Sequence, residues 1–264
     1  MSWVGKFFQN KGWLGIPSIE YSSGGTPTGL IDPRTGTSFL MYSSYSLATI
    51  PSASSVDLGG VINIPKSEFT NNTGMPAWGI YLRTDGTNWV SANPNQIFSM
   101  QDGSVASPLV SAWSPGSVNK TKMPLPGGSV AIPWQLMHVG MRLRLTFLVK
   151  FNSASTSAIF APSFGQADDT TSPYAGWIDT TYAAGKPLHL VSEIYVNSST
   201  GYTASLMIKN HPTGTPSAGY PLDNNSSLNL AGHITHYVNF FIDPNAADAA
   251  ATYDMINYKV ELIS

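Results

Sequence analysis

The stretch MRLRLTFLVKF, at positions 141–151, decides the fold. Apolar side chains occupy every second position, namely Met141, Leu143, Leu145, Phe147, Val149 and Phe151. Polar side chains occupy the positions between them, namely Arg142, Arg144, Thr146 and Lys150, with Leu148 as the exception. Because successive side chains of a β-strand point to opposite faces of its sheet, this alternation predicts a long strand that buries one face.

The same period of two continues toward the C-terminus. It covers residues 188–196 and 204–209, which are separated by the turn sequence Asn197–Gly201, and it returns at 256–262. Two alternating segments joined by a short turn are typical of a β-hairpin. Strands at this spacing, with turn residues between them, predict an antiparallel β-sandwich of jelly-roll-like type over residues 106–264.

Residues 31–105 predict a small β-module ahead of the sandwich. Its candidate strands are Gly60–Pro65, the stretch in which Trp78, Ile80 and Leu82 share a face, and Asn95–Gln101. The turn Thr84–Thr87 contains Asp-Gly, a pair that accepts the positive φ of a tight hairpin. The predicted fold is therefore all-β, with a small β-hairpin module followed by an antiparallel sandwich.

The first 30 residues differ in character from the rest of the chain. The aromatic side chains of Trp3, Phe7, Phe8 and Trp13 are interrupted by glycines. The Ser/Gly/Thr-rich stretch that ends at Gly29 is typical of a flexible linker. Aromatic groups left exposed promote association, so we expect these side chains to be covered. Two interpretations of what covers them stay open. The segment is either a docking arm that inserts into another protein or a strap that packs on the chain's own core.

The composition narrows the class of partner. Charged residues make up 11% of the chain and the net charge is −2. Without a block of Lys or Arg, neither nucleic acid nor a membrane surface is a predicted partner, since both attract concentrated positive charge. Membrane insertion is not predicted either, because no window holds the roughly 18 apolar residues of a spanning helix. Met1–Gln9 lacks the features of a signal peptide, so we expect synthesis in the cytoplasm.

Residue patterns for catalysis are scarce. The common nucleophile, phosphate-binding and zinc-protease motifs are missing, and the chain has no Cys. Glu193 and Glu261 fall on the polar faces of predicted strands and could be neighbours on the outer face of a sheet. A glycosidase needs such a pair at a defined separation, but ordinary surface carboxylates are the simpler interpretation.

Candidate metal ligands are equally few. His233 and His236 are three residues apart, which on a strand places them on opposite faces, so sharing a metal is difficult. His236 falls on the apolar face with Ile234 and predicts a core or interface histidine. Asp168 and Asp169 lie in a loop without the spaced ligand set of a calcium site. We therefore predict no catalytic residue, no metal site and no cofactor, and we do not expect an enzyme.

One stretch combines aromatic and polar groups in the manner of a sugar site. It runs from Tyr174 to Tyr182 and includes Trp177 and Asp179. Sugar-binding proteins place an aromatic ring against the apolar face of a sugar and polar groups against its hydroxyls. These four residues are a candidate glycan-contact loop. The alternative is that Trp177 plugs the sandwich or a subunit interface.

Two stretches resemble modules of tailed-phage virion proteins. Ile80–Asn93 resembles the "strand, Asp-Gly-Thr-x-Trp, strand, Asn" hairpin of tail-fibre and other appendage proteins. Val130–Pro133 and Gly140–Thr146 resemble the first strands of the sandwich that often follows that hairpin. The glycine expected after the hairpin's Asn is Pro94 in this chain. The resemblance implies a structural role, usually as a homotrimer.

These observations favour a structural protein on the surface of a tailed-phage virion. The expected form is a homotrimer that serves as capsid decoration (cement) or as a tail fibre. Its expected partners are the major capsid protein or a tail or baseplate protein, reached through the N-terminal arm. The alternative is a carbohydrate-binding adhesin that recognises host surface glycans through the candidate loop.

Overall fold

The computed structural model describes residues 18–21, 27–31, 38–39, 43–56, 58–70, 72–93, 95–117, 119–153, 155–210, 219–220, 222–225, 228–244 and 248–263. They divide into two compact units. The first holds the described residues up to Glu68 together with Ala77–Asn93, and the second holds Phe69–Pro76 together with the described residues from Asn95 onward. Nowhere in these ranges is there a helix with the length and hydropathy needed to cross a membrane.

The described part of the first unit contains two small sheets. Its strands are β1 (Ser18–Tyr21), β2 (Pro27–Ile31), β3 (Ser38–Phe39), β4 (Ser43–Ser44), β5 (Val61–Ile64), β6 (Ile80–Thr84) and β7 (Trp89–Ser91). Strands β1, β2 and β3 form one antiparallel sheet, and β4 to β7 form the other, in which β4 runs parallel to β5. Short 3₁₀ turns lie at Ala53–Ser55 and Lys66–Glu68.

A glycine sets the start of β6. Gly79 has a φ of +83°, and a Cβ at this position would lie 2.0 Å from the carbonyl oxygen of Ile64. Ile80 and Leu82 are buried as predicted, but Trp78 lies before the strand and is 60% exposed. The prediction that Trp78 shares their buried face is wrong, because a residue with positive φ interrupts the alternation of a strand.

The second unit contains most of the strands. They are β8 (Gln96–Asp102), β9 (Val110–Trp113), β10 (Thr121–Met123), β11 (Val130–Ile132), β12 (Arg142–Phe151), β13 (Ser155–Gly165), β14 (Trp177–Tyr182), β15 (Pro187–Val196), β16 (Tyr202–Asn210), β17 (Gly219–Tyr220), β18 (Leu222–Asn225), β19 (His236–Pro244) and β20 (Tyr253–Ile263). A 3₁₀ turn lies at Trp134–Leu136. In the described ranges, one sheet has seven strands, in the order β18-β16-β15-β12-β20-β8 with β9 also on β20. The other has six, in the order β10-β19-β13-β14-β17 with β11 also on β19.

The two sheets of the second unit pack face to face. The ring of Phe147 on β12 lies 4.8 Å from that of Phe240 on β19, and Phe151 lies 5.2 Å from Phe160 on β13. Each contact joins opposite sheets, and all four side chains are fully buried. Burial of such a side chain stabilises the fold by about 1.5–3 kcal/mol. The predicted all-β sandwich with antiparallel sheets is confirmed.

Strand β12 is the centre of the seven-stranded sheet. It pairs antiparallel with β15 on one side and with β20 on the other. Its odd-numbered residues from Leu143 to Phe151 are buried, and its even-numbered residues are partly or fully exposed. The alternation predicted for residues 141–151 is therefore confirmed. Strands β15 and β16 form the predicted hairpin.

Strand β8 belongs to the sandwich sheet. The sequence pattern predicts a small module that extends as far as residue 105 and so includes these residues. In the structure β8 instead pairs with β20, for example Ile97 with Glu261. Phe98 of β8 packs edge-on against Phe69 at 5.0 Å, within the second unit.

The turn at Gly79 generates a stability prediction. We expect Gly79→Ala to lower the free energy of unfolding at least about 2 kcal/mol more than Gly59→Ala, because its new Cβ would overlap the backbone at Ile64. Gly59 has a similar φ of +85° but open space where a Cβ would lie, so it reports the cost of backbone conformation alone. Urea unfolding followed by tryptophan fluorescence measures both. Equal losses would show that the close approach at Gly79 does not constrain the fold.

Candidate functional site

A closed turn joins β6 to β7 in the stretch that resembles phage appendage proteins. The carboxylate Oδ1 of Asp85 accepts hydrogen bonds from the backbone N–H groups of Thr87, at 2.8 Å, and Asn88, at 2.7 Å. Gly86 between them has a φ of +94°, which favours glycine. The Asp and Gly of this motif therefore have direct conformational roles.

The residues on either side of the turn tie it to the rest of its unit. The hydroxyl of Thr84 donates to the carbonyl of Ala53 at 2.9 Å and accepts from the backbone N–H of Gly86 at 2.9 Å. The indole N–H of Trp89 donates to the carbonyl of Pro51 at 2.8 Å, and its side chain is 6% exposed. The motif thus builds a rigid hairpin whose tryptophan serves the core.

A row of charged side chains crosses the outer face of the seven-stranded sheet. Arg144 on β12 pairs in register with Glu193 on β15 and with Glu261 on β20. Its guanidinium lies 2.8 Å from Glu193 and 4.0 Å from Glu261. Lys259 lies 2.7 Å from the other oxygen of Glu261. The two carboxylates share the outer face as expected, and Arg144 lies between them.

A second row of side chains lies on the same face, two residues away along β12 and β15, and extends to β16. Arg142 on β12 pairs with Tyr195 on β15, and Tyr195 pairs with Thr203 on β16. Adjacent strands lie about 4.8 Å apart and alternate residues about 6.7 Å apart, so the two rows cover about 10 by 7 Å. We call these six side chains the outer-face array: Arg142, Tyr195 and Thr203 in one row, and Arg144, Glu193 and Ser205 in the other.

A shallow pocket of ≈ 330 Å³ lies over the outer-face array. Its lining is Arg142, Glu193, Ile194, Tyr195, Thr203, Ala204 and Ser205. Tyr195 is 46% exposed. Arg142 reaches Glu193 only at 3.7 Å and keeps 47% of its side chain exposed. The pocket therefore combines an accessible ring, a loosely paired cation and two hydroxyls.

Sequence reasoning did not single out the outer-face array as a site. The alternation in β12, β15 and β16 places Arg142, Tyr195 and Ser205 on polar faces, and this signal was present. Alternation gives the face but not the neighbouring strand or its register. Only the pairing of β12 with β15 and of β15 with β16 brings the residues together.

Tyr174, in the candidate glycan-contact loop, is held by neighbouring groups. Lys120 places its ammonium 4.3 Å from the centre of the Tyr174 ring and 4.3 Å from that of Phe241. The Tyr174 hydroxyl donates to Asp243 at 3.3 Å. Burial, reinforced by the charge of Asp243, raises the pKa of Tyr174, and burial lowers the pKa of Lys120. Tyr174 therefore has a packing role in this loop.

The other members of the predicted loop lie on β14. Trp177 and Asp179 share the outer face of the six-stranded sheet, because Ile178 between them is fully buried. Trp177 is half-buried and Asp179 is exposed. The side chain of Tyr182 and the arm residues Trp3, Phe7, Phe8 and Trp13 lie outside the described residues. A glycan-contact role for the loop stays a prediction.

The two histidines lie apart, but not on opposite faces of one strand as predicted, because His233 is in a turn before β19. His236 is fully buried at the start of β19, with its ring 5.7 Å from that of Phe164, which confirms a core position. His233 is exposed, has a φ of +50° and stacks on Trp134 at 4.1 Å. Ile234 is 37% exposed, so its predicted place on the buried face is wrong. Because the backbone turns at His233, strand β19 begins only at His236.

The two aspartates of the 166–176 loop make structural contacts. Asp168 pairs with Lys122 at 3.0 Å. Asp169 accepts hydrogen bonds from the hydroxyl and the backbone N–H of Thr171, and these bonds lower its pKa. Within the described ranges, no group of three His, Cys, Asp or Glu residues is placed to hold a metal ion.

Comparison with known proteins gives distant likenesses only. No protein-family model and no curated protein sequence matches the chain. A xylan β-1,4-xylosidase from Bacillus halodurans is similar over 51% of this chain and 33% of its own length, with 6% identity and a TM-score of 0.26. A protein of unknown function from Shewanella oneidensis MR-1 is similar over 65% of this chain and 88% of its own, with 10% identity and a TM-score of 0.30. An engineered GH43 glycoside hydrolase is similar over 94% of this chain and 48% of its own length, with 9% identity and a TM-score of 0.31.

The two arginines of the outer-face array are expected to differ in their effect on stability. Arg144→Met leaves the nearly buried Glu261 paired with Lys259, and it leaves Glu193 with Arg142 at 3.7 Å. We therefore expect the free energy of unfolding to fall by about 2 kcal/mol. Arg142→Met removes only an exposed contact, so we expect a loss below about 1 kcal/mol. Urea unfolding at pH 7 measures both. Equal losses would contradict the central role of Arg144.

His236 predicts acid sensitivity. Burial lowers the pKa of His236 from its ordinary value of 6.5, although the backbone at Ile234 opposes the shift. Below pH 6.5, His236 binds a proton in the unfolded chain but not in the native state. The free energy of unfolding therefore falls as the pH falls toward the lowered pKa of the folded state. The expected slope approaches about 1.4 kcal/mol per pH unit.

Urea unfolding of the parent chain and of His236→Phe at pH 7, 6 and 5 tests this expectation. The variant keeps an aromatic ring beside Phe164 and should lose most of the slope. His189, whose pKa is also lowered, by partial burial and by Lys209, accounts for the slope that remains. An unchanged slope in His236→Phe would rule out His236 as the source of the acid sensitivity.

Proposed function

We propose that this chain is a non-catalytic structural component of a tailed-phage virion, exposed on the particle surface as capsid decoration or as part of a tail fibre. The β6–β7 hairpin is the observation that carries the proposal. Its Asp85-Gly86-Thr87-Asn88-Trp89 stretch resembles phage appendage proteins, and it forms the capped turn and anchored tryptophan described above.

The ion pairs of the outer-face carboxylates support a non-catalytic role for these residues. Glu193 and Glu261 are the pair that a glycosidase mechanism would use. Both face Arg144, at 2.8 and 4.0 Å, and Glu261 also contacts Lys259. Their oxygens are therefore committed to ion pairs that hold three strands in register.

Assembly as a homotrimer belongs to the same proposal. Low charge suits burial between identical subunits, where an unpaired charge is costly. Trp134 and Ile234 are exposed to 38% and 37%. Exposed apolar side chains favour association where they join into a contiguous patch. Docking on a major capsid, tail or baseplate protein is assigned to the N-terminal arm.

A carbohydrate-binding adhesin for host surface glycans is the second candidate. The outer-face array favours it, because an accessible tyrosine ring lies beside hydroxyl and charged groups in one pocket. This arrangement supplies the ring and the polar groups that sugar recognition requires. This gives the adhesin proposal a second candidate glycan site, on β12, β15 and β16, beside the predicted Tyr174–Tyr182 segment.

Immunogold electron microscopy tests the virion proposal. An antibody against the chain should label purified particles of the phage that encodes it, at the head surface or the tail. Native mass spectrometry of the purified chain at micromolar concentration should give a trimer. The deletion of residues 1–25 should leave the trimer intact and abolish incorporation into particles.

Each measurement has an outcome that counts against one part of the proposal. Particles without label would overturn the virion assignment. A strict monomer would overturn the trimer. Full incorporation of the chain lacking residues 1–25 would remove the docking role from the arm and leave the other two parts standing.

A further inference from the structure

We propose that the outer-face array binds an acidic saccharide, with the sugar carboxylate on Arg142 and the sugar ring against Tyr195. The inference rests on the second candidate function and specifies its ligand class. It goes beyond the likeness to phage proteins, since none of the array residues except Arg142 and Arg144 lies in a stretch that carries that resemblance.

The balance of charge at the array favours an anion. Three cations, Arg142, Arg144 and Lys259, face two carboxylates, Glu193 and Glu261, in the linked ion pairs of this surface. Among the described residues of these ion pairs, one positive charge is left over, in a protein whose net charge is −2. A local field of sign opposite to the whole protein attracts an anionic ligand to this face.

The surplus charge is located on Arg142. Arg144 is engaged by Glu193 at 2.8 Å through both its Nε and its Nη2 atoms. Among the residues that the structure describes, the ion-pair contact of Arg142 is the 3.7 Å approach to Glu193, and Arg142 lines the pocket with 47% of its side chain exposed. Its planar guanidinium presents paired N–H donors that match a carboxylate in bidentate geometry.

The ligand's ring and hydroxyls are assigned to the neighbouring strands. Tyr195 lies beside Arg142 in the same row and is 46% exposed, so its face is open to the C–H surface of a pyranose. Thr203 and Ser205 continue the two rows on β16, and each hydroxyl both donates and accepts hydrogen bonds.

The size of the site limits the ligand to one or two sugar units. The array covers about 10 by 7 Å by strand geometry. The pocket volume of ≈ 330 Å³ is at the lower end of small-molecule sites. Because all six residues are on paired strands, their backbone positions are fixed without ligand, which lowers the entropic cost of binding.

Isothermal titration calorimetry with a matched pair of disaccharides tests the inference. Cellobiouronic acid and cellobiose differ only in the carboxylate that replaces one CH₂OH group. We expect the intact chain to bind the acidic disaccharide at least about tenfold more tightly, the gain from a charge-assisted contact. Arg142→Met should reduce the acidic affinity to that of cellobiose. Tyr195→Ala should abolish both.

Arg83→Met is the matched control, since Arg83 is an exposed arginine on β6 outside the array. It should leave both affinities unchanged. Equal binding of the two sugars, lost in Tyr195→Ala, would overturn the acidic preference and leave the adhesin candidate standing. Binding of neither sugar at millimolar concentration would overturn both the acidic-saccharide proposal and the adhesin candidate. An acidic preference that survives in Arg142→Met would place the anion elsewhere and overturn the assignment.

Discussion

The pairing of β12 along both of its edges is the constraint on which the rest of the second unit depends. A strand bonded on both sides has no freedom to rotate its side chains from one face to the other. Its phenylalanines must therefore meet Phe160 and Phe240 of the opposite sheet, and its arginines must stand on the outer face. The core and the candidate binding surface are two consequences of one backbone arrangement.

This common origin explains how much of the candidate site is predictable. Alternation of apolar and polar residues is enough to place Arg144, Glu193 and Glu261 on outer faces. It does not indicate that Arg144 lies between the two carboxylates, because strand order and register depend on residues far apart in the chain. The same limit applies to β8, whose partner β20 lies about 160 residues away and which local patterns group with the nearer hairpin.

Aromatic residues show a second limit of sequence reasoning. Trp78 and Trp89 flank the same strand pair, yet Trp78 is 60% exposed and Trp89 is 6% exposed. A backbone turn at Gly79 separates Trp78 from the strand, and a hydrogen bond to Pro51 anchors Trp89. Tyr174 resembles a sugar-binding ring in its sequence context. Its ring is engaged by Lys120, from a segment more than 50 residues earlier, which composition alone could not indicate.

The Asp-Gly-Thr-Asn-Trp hairpin lies in the first unit of the chain, and the surface proposed to bind a ligand lies in the second. Every polar atom identified in the Asp-Gly-Thr-Asn-Trp hairpin serves its own turn or the packing of Trp89, so the motif is explained by folding alone. The outer-face array has the opposite character. Its Arg142 and Tyr195 are 47% and 46% exposed, in a chain with 11% charged residues. The hairpin therefore bears on the proposed structural role, whereas the proposed ligand binding depends on residues that the pairing of β12, β15 and β16 brings together.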